Sequence, residues 1–141
     1  MKRGFARAVR IASMLAAAAA LPALADDRDA PWGAIAFSTL HDNSYFVSGY
    51  PTQGDAEAAA LASCREGDPD DTTCTIPLSY RNACGAIAEA SDKTWGTGWG
   101  ATQDLAMQWA VKTCRDYGGA DCKAQMVVCS PGGALLIPGD G

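Results

Sequence analysis

Gly33-Ala34-Ile35-Ala36 returns later in the chain as Gly85-Ala86-Ile87-Ala88, and the residues downstream of the first copy have counterparts downstream of the second. Thr52-Gln53 reappears as Thr102-Gln103. Twelve residues after each threonine stands a cysteine followed by an arginine, Cys64-Arg65 and Cys114-Arg115. A further cysteine lies ten residues beyond the first, Cys74, and eight beyond the second, Cys122. An apolar segment then closes each copy. Matching order and near-matching spacing identify two diverged copies of one unit, and such a repeat constrains the architecture before any local pattern does.

Each copy reads as strand, strand, helix, strand. Gly33 to Ser38 is a short apolar strand, and His41-Asp42-Asn43-Ser44 is a turn cluster. Tyr45 to Tyr50 is rich in aromatic and β-branched residues, as strands prefer. Thr52 then caps a helix running to about Cys64, with Asp55 suited to the positive first turn. Ala56, Ala60 and Cys64 recur every four residues and share a face. In the second copy Thr102 caps, Asp104 sits in the first turn, and Ala106, Ala110 and Cys114 form the stripe, widened by Leu105 and Trp109. Ile76, Leu78 and Tyr80 alternate in the first closing strand, and Met126 and Val128 in the second. Pro77 lacks an N–H, which predicts an edge position or a bulge. The fold class expected is α+β: a pseudo-symmetric pair of such units, with mainly antiparallel sheet and two helices.

The ends of the chain predict export. Lys2, Arg3, Arg7 and Arg10 precede an uncharged run of 14 residues, Ile11 to Leu24, which ends in Ala23-Leu24-Ala25. This is the layout of a secretory signal with its cleavage site, and the run is short for a spanning helix, which needs about 20 residues. The expected organisation is a signal peptide over 1–25, one domain over 26–130, and a loose tail over 131–141, in which Leu135-Leu136-Ile137 could dock locally. Cleavage leaves 116 residues with seven basic against sixteen acidic side chains, a formal charge of −9. Such a surface repels phosphate backbones and anionic lipid, so neither nucleic acid nor a membrane is an expected partner, whereas a cationic protein is compatible. A monomer in the periplasm or outside the cell is expected.

All six cysteines lie beyond the signal, and an even count in an exported chain reads as three disulfides. No Cys-x-x-Cys occurs and His41 is the single histidine, so no metal is expected. Six cysteines allow fifteen connectivities. The repeat ranks first a helix-to-closing-strand bridge within each copy, 64–74 and 114–122, which leaves Cys84 for Cys129.

Several further segments strengthen one resemblance: Trp32-Gly33-Ala34-Ile35-Ala36, an Ala-rich helix ending in Cys64, Arg81-Asn82-Ala83-Cys84-Gly85-Ala86, Trp95-Gly96-Thr97-Gly98-Trp99-Gly100, Cys114 and Val127-Val128-Cys129. In this order they resemble the secreted family catalogued as domain of unknown function 4189, from Trp32 to Ser130. Pro77 departs from a closing strand that is usually β-branched and aromatic in that family, and the tail here is longer. The resemblance implies secretion, disulfides and a repeat-built α+β domain. It carries over no catalytic residue.

No catalytic constellation is assembled by the sequence, and no cofactor is expected. His41 stands beside Asp42 in a turn, without a nucleophile placed near it by a motif. Glu57, Glu89, Asp55 and Asp104 are carboxylates of the type used in glycoside cleavage, but Asp55 and Asp104 already serve helix first turns. Glu66, Asp68, Asp70 and Asp71 form an acidic loop without the calcium-loop spacing. Gly96-x-Gly98-x-x-Ala101 mimics a dinucleotide fingerprint outside the β-α-β setting that gives it meaning. Trp95 and Trp99 alternate onto one strand face, opposite Gly96, Gly98 and Gly100, and copy one offers Tyr45 and Val47 in the corresponding places. These aromatics either fill the core or form a binding face. The function expected is a binding module for a protein or a cell-wall glycan, in an inhibitor, immunity or effector role. The alternatives are a small hydrolase using carboxylates or His41, and a purely structural envelope domain.

Overall fold

A computed structural model describes residues 31–130 and the backbone of a short strand at 134–136. The signal reading of residues 1–25 lies outside the described residues. The elements are β1 (Trp32–Ser38), β2 (Asn43–Tyr50), α1 (Gln53–Arg65), β3 (Thr75–Arg81), β4 (Cys84–Glu89), β5 (Trp95–Gly100), α2 (Gln103–Asp116), β6 (Lys123–Cys129) and β7 (Ala134–Leu136). Each copy builds its own antiparallel sheet in the same order, with the first strand central: β2-β1-β3, and β5-β4-β6 extended by β7. The protein is α+β and built from two equivalent units.

The helices start where their caps place them. The Thr52 hydroxyl accepts from the Asp55 N–H at 3.1 Å, and the Thr102 hydroxyl accepts from the Leu105 N–H at 3.3 Å. Ala56, Ala60 and Cys64 are buried against Ala34 and Ala36, while Ala106, Ala110 and Cys114 are buried against Ala86 and Ala88. Alanine on both sides removes the side-chain bulk that normally separates a helix from a sheet. The faces turned away from the helices meet each other, with β3 against β4 and β5, and β2 against β6. The layers therefore run helix, sheet, sheet, helix.

Glycine sets the joint between the sheets. Gly33 and Gly85, the equivalent first residues of the two copies, flank the Tyr80 ring. A methyl group on Gly33 would lie 2.5 Å from that ring, and one on Gly85 would also overlap it. Phe37 of copy one stacks on Trp95 of copy two at 4.3 Å between ring centroids. The Lys93 ammonium contacts Asp42 at 2.6 Å across the same joint.

Two bulges shape the strands. β1–β3 and β4–β6 both shift register just after Ile35 and Ile87, opposite Pro77 and Gln125. The duplicated bulge explains why proline is tolerated at 77, where β3 is also an edge strand. β2 carries a second irregularity that β5 lacks. Trp32 pairs with Tyr50 and Ala34 with Val47, whereas Cys84 pairs with Gly100 and Ala86 with Gly98. Copy one thus holds one extra residue at Ser48-Gly49, and Gly49 takes a positive φ of 83°. An extra residue turns every preceding side chain to the other face. Tyr45 and Val47 therefore pack towards α1 and do not share the face of Trp95 and Trp99, which corrects the correspondence read from counting back from the threonine caps.

Three disulfides join Cys64 to Cys74, Cys84 to Cys129, and Cys114 to Cys122. The first and third tie a helix end to the start of its closing strand. The second links directly opposed residues of β4 and β6. None crosses from one copy to the other. In the chain-entropy model the loops closed, 10, 8 and 45 residues apart, correspond to about 3 kcal/mol for each short loop and about 4 kcal/mol for the long one.

Candidate functional site

The glycine face of β5 and the small face of α2 bring backbone against backbone. A methyl group on Gly96 would lie 2.7 Å from the Thr113 carbonyl carbon, one on Gly98 2.5 Å from that of Trp109, and one on Gly100 2.6 Å from the Leu105 Cβ. The dinucleotide-like glycine pattern is thus accounted for by close helix approach. The helix sits so directly over β5, an edge strand, that the residues beside its buried stripe hang beyond the sheet. Leu105 and Trp109, read from spacing as part of the core face, are accordingly 42% and 52% exposed.

On the opposite face of the same edge lies Trp99, 60% exposed. Trp95, two positions earlier on that face once Thr97 is passed, is half-buried on Phe37. The aromatics considered together in the sequence therefore separate: Tyr45 against α1, Trp95 in the joint between the sheets, and Trp99 at the surface. What the structure adds to Trp99 is Trp109. Between them opens a cleft of about 450 Å³ lined by Thr97, Gly98, Trp99, Gly100, Trp109 and Thr113. No charged side chain lines it. The hydroxyls of Thr97 and Thr113 and the backbone of β5 are its polar groups.

The copies themselves indicate which of these residues the fold requires. Counted from the threonine caps, Trp109 corresponds to Ala59 and Leu105 to Asp55, while strand pairing places Trp99 at the Ser48-Gly49 bulge. Copy one folds without large apolar groups at those places. The groove beside β2, about 420 Å³, is of another kind, since Ser44, Tyr45, Phe46 and Ser48 of β2 and Ser63 of α1 line it together with Met126 and Val128 of β6.

The other candidates are occupied in local structure. The buried Asp71 carboxylate accepts from the Ser38 hydroxyl, and from the Thr73 N–H and hydroxyl at 2.7 and 2.6 Å. Those donors hold its pKa below the usual carboxylate value. The His41 ring lies 3.2 Å from Asp68, while its backbone N–H donates to Ser38 at 3.0 Å. Ser38 is fully buried, so this serine, histidine and aspartate cluster pins the β1–β2 turn to the acidic loop. Cys64, Cys74 and Asp71 lie close enough together to suggest a metal set, but both sulfurs are joined in a disulfide and offer no thiolate. Among the four separate carboxylates, Asp55 accepts from the cap hydroxyl and Glu57 from Gln53 and Ser79, which lower the Glu57 pKa. Glu89 pairs with Lys93, and Asp104 stays in the first turn of α2.

Among the described residues no helix is long and apolar enough to cross a membrane. No curated protein and no solved structure matches the chain. The model of the family described as Domain of unknown function (DUF4189) matches residues 32–129, the span that holds both copies, all three bridges and the cleft, and the chain belongs to that family.

Proposed function

We propose that this protein is an exported binding module whose ligand docks in the cleft between Trp99 and Trp109. The observation that carries the reading is the pair of half-exposed tryptophans on a cross-linked scaffold, at positions where the equivalent copy has the Ser48-Gly49 bulge and Ala59. Tryptophan is costly to leave in water and is the side chain most often found anchoring a partner or stacking on a ring. Export is supported by the signal-like residues 1–25 and by three disulfides, which persist in oxidising compartments. The destination is the periplasm or the cell exterior.

The test compares the oxidised domain, residues 26–141, with its Trp99→Ser/Trp109→Ser variant. Both are immobilised and exposed to envelope proteins and to cell-wall fragments. The expected result is a saturable component retained by the native domain and lost from the variant, with unchanged far-ultraviolet circular dichroism. Identical retention by the two columns would sink the reading.

A further inference from the structure

Sheet edges expose unpaired backbone groups, and proteins blunt them to avoid pairing with other chains. Three of the four edges in this protein are blunted. β3 carries Pro77 within a bulge. β2 is broken by the bulge at Ser48-Gly49. The far edge of the second sheet, β7, is only three residues long. Among the described residues β5 is the one edge strand longer than three residues that has no proline, no charge and no bulge: it pairs with β4 without interruption from Glu89↔Trp95 to Cys84↔Gly100, and no described strand pairs with its other side.

This open edge runs along the tryptophan cleft, with one anchor on each face. Side chains of an added strand would alternate between the two faces. One set would meet Trp99, and the other would meet Trp109 and Leu105. Resting on the cleft reading above, we propose that the ligand is an extended, uncharged peptide segment of a partner protein, which adds as a further strand to β5 and seats apolar side chains against the tryptophans on both faces.

The close seat of α2 argues against a second copy of this chain as the occupant. Paired strands lie about 4.8 Å apart, so edge-to-edge self-pairing would bring two α2 helices, each directly over its own β5, nearer than the about 8–10 Å that packed helices need. A lone strand brings no helix. The absence of charged side chains from the cleft lining sets the peptide's uncharged character.

The experiment selects linear peptides about twelve residues long from a random display library on the oxidised domain, then titrates the chosen peptide by tryptophan fluorescence. Native domain and the Trp99→Ser/Trp109→Ser variant are compared, with muramyl glycan fragments as a second probe. The expected peptides carry apolar residues, and methylating alternate backbone nitrogens weakens them about tenfold, since a methylated nitrogen cannot pair with the edge. Binding indifferent to methylation overturns strand addition and leaves the cleft reading standing. Tryptophan-dependent binding of the glycan alone does the same. Peptides that bind the variant as well as the native domain overturn both. A native dimer that the variant does not form, seen by sedimentation, would make a second copy the occupant and overturn the proposal.

Discussion

Replacing Gly98 by alanine tests the contact on which the candidate site is built. The added methyl would fall 2.5 Å from the Trp109 carbonyl carbon and closer still to the Ala110 nitrogen. These are helix backbone atoms and cannot swing aside as a side-chain tip can. Ordinary contact distances are about 3.5–4.0 Å, so α2 must lift by about 1 Å, and a gap of that size forfeits a quarter to a half of each dispersion contact it opens. The row affected is Ala106, Ala110 and Cys114 on Ala86 and Ala88, all buried. Overpacking of this kind costs about 1–3 kcal/mol, and the loosened row places Gly98→Ala at the upper end, about 3 kcal/mol, or a Tm lower by about 12–24 °C for a domain near 100 residues. The control is Gly67→Ala, where a methyl meets nothing within 4 Å and φ lies outside the left-handed range. Its effect should stay within about 0.5 kcal/mol. Guanidinium unfolding of the oxidised proteins, followed by circular dichroism, measures both. If Gly98→Ala is as stable as Gly67→Ala, α2 is not seated on β5 and the cleft has lost its rear wall.

The Tyr80 hydroxyl is buried without a hydrogen-bond partner among the described residues, and burial raises its pKa. Tyr80→Phe should therefore be neutral or stabilising by about 1 kcal/mol in the same assay, while Gly85→Ala, which collides with that ring, should destabilise. Asp71 is held below its usual pKa by Ser38 and Thr73. A depressed folded-state value contributes stability that is present above the unfolded-state pKa and is lost as pH falls through the folded one. Acid titration of Asp71→Asn should accordingly show a shallower loss of stability below about pH 4 than the native protein, and an unchanged slope would deny Asp71 that role. Replacing Cys84 and Cys129 together by serine should cost about 4 kcal/mol, against about 3 kcal/mol for the Cys64 and Cys74 pair, measured by denaturant unfolding of each.

The architecture was legible because the determinants that fix it are local and occur twice. Two threonine caps, two alanine stripes and two Gly-Ala-Ile-Ala strands each specify an element through nearest-neighbour chemistry, and their repetition specifies how the elements assemble. The site was less legible because it depends on registration between elements. One additional residue at Ser48-Gly49 reverses the face of Tyr45, and counting along the chain does not reveal on which side of a bulge a side chain emerges. Trp109 read as core because a helical apolar stripe ordinarily faces the sheet. The glycines of β5 draw α2 so close that the flank of that stripe passes the sheet edge. Comparison of Trp109 with Ala59, and of Leu105 with Asp55, held the available signal, since the equivalent unit packs without them.

The order of the three bridges along the chain bears on how the protein matures. Under the export proposed above, a chain oxidised from its N-terminus as it emerges joins each cysteine to the next one to appear. That sequence of events yields Cys64 with Cys74, which is the native bond. It then yields Cys84 with Cys114 and Cys122 with Cys129, both wrong, because the 114–122 bridge is nested inside the 84–129 bridge. The first copy can be cross-linked by a simple thiol oxidase acting in passing. The second copy, which carries the tryptophan cleft, reaches its native connectivity only if its first cysteine waits or if a disulfide isomerase reshuffles it, and yield of active protein in a host would follow the supply of that isomerase.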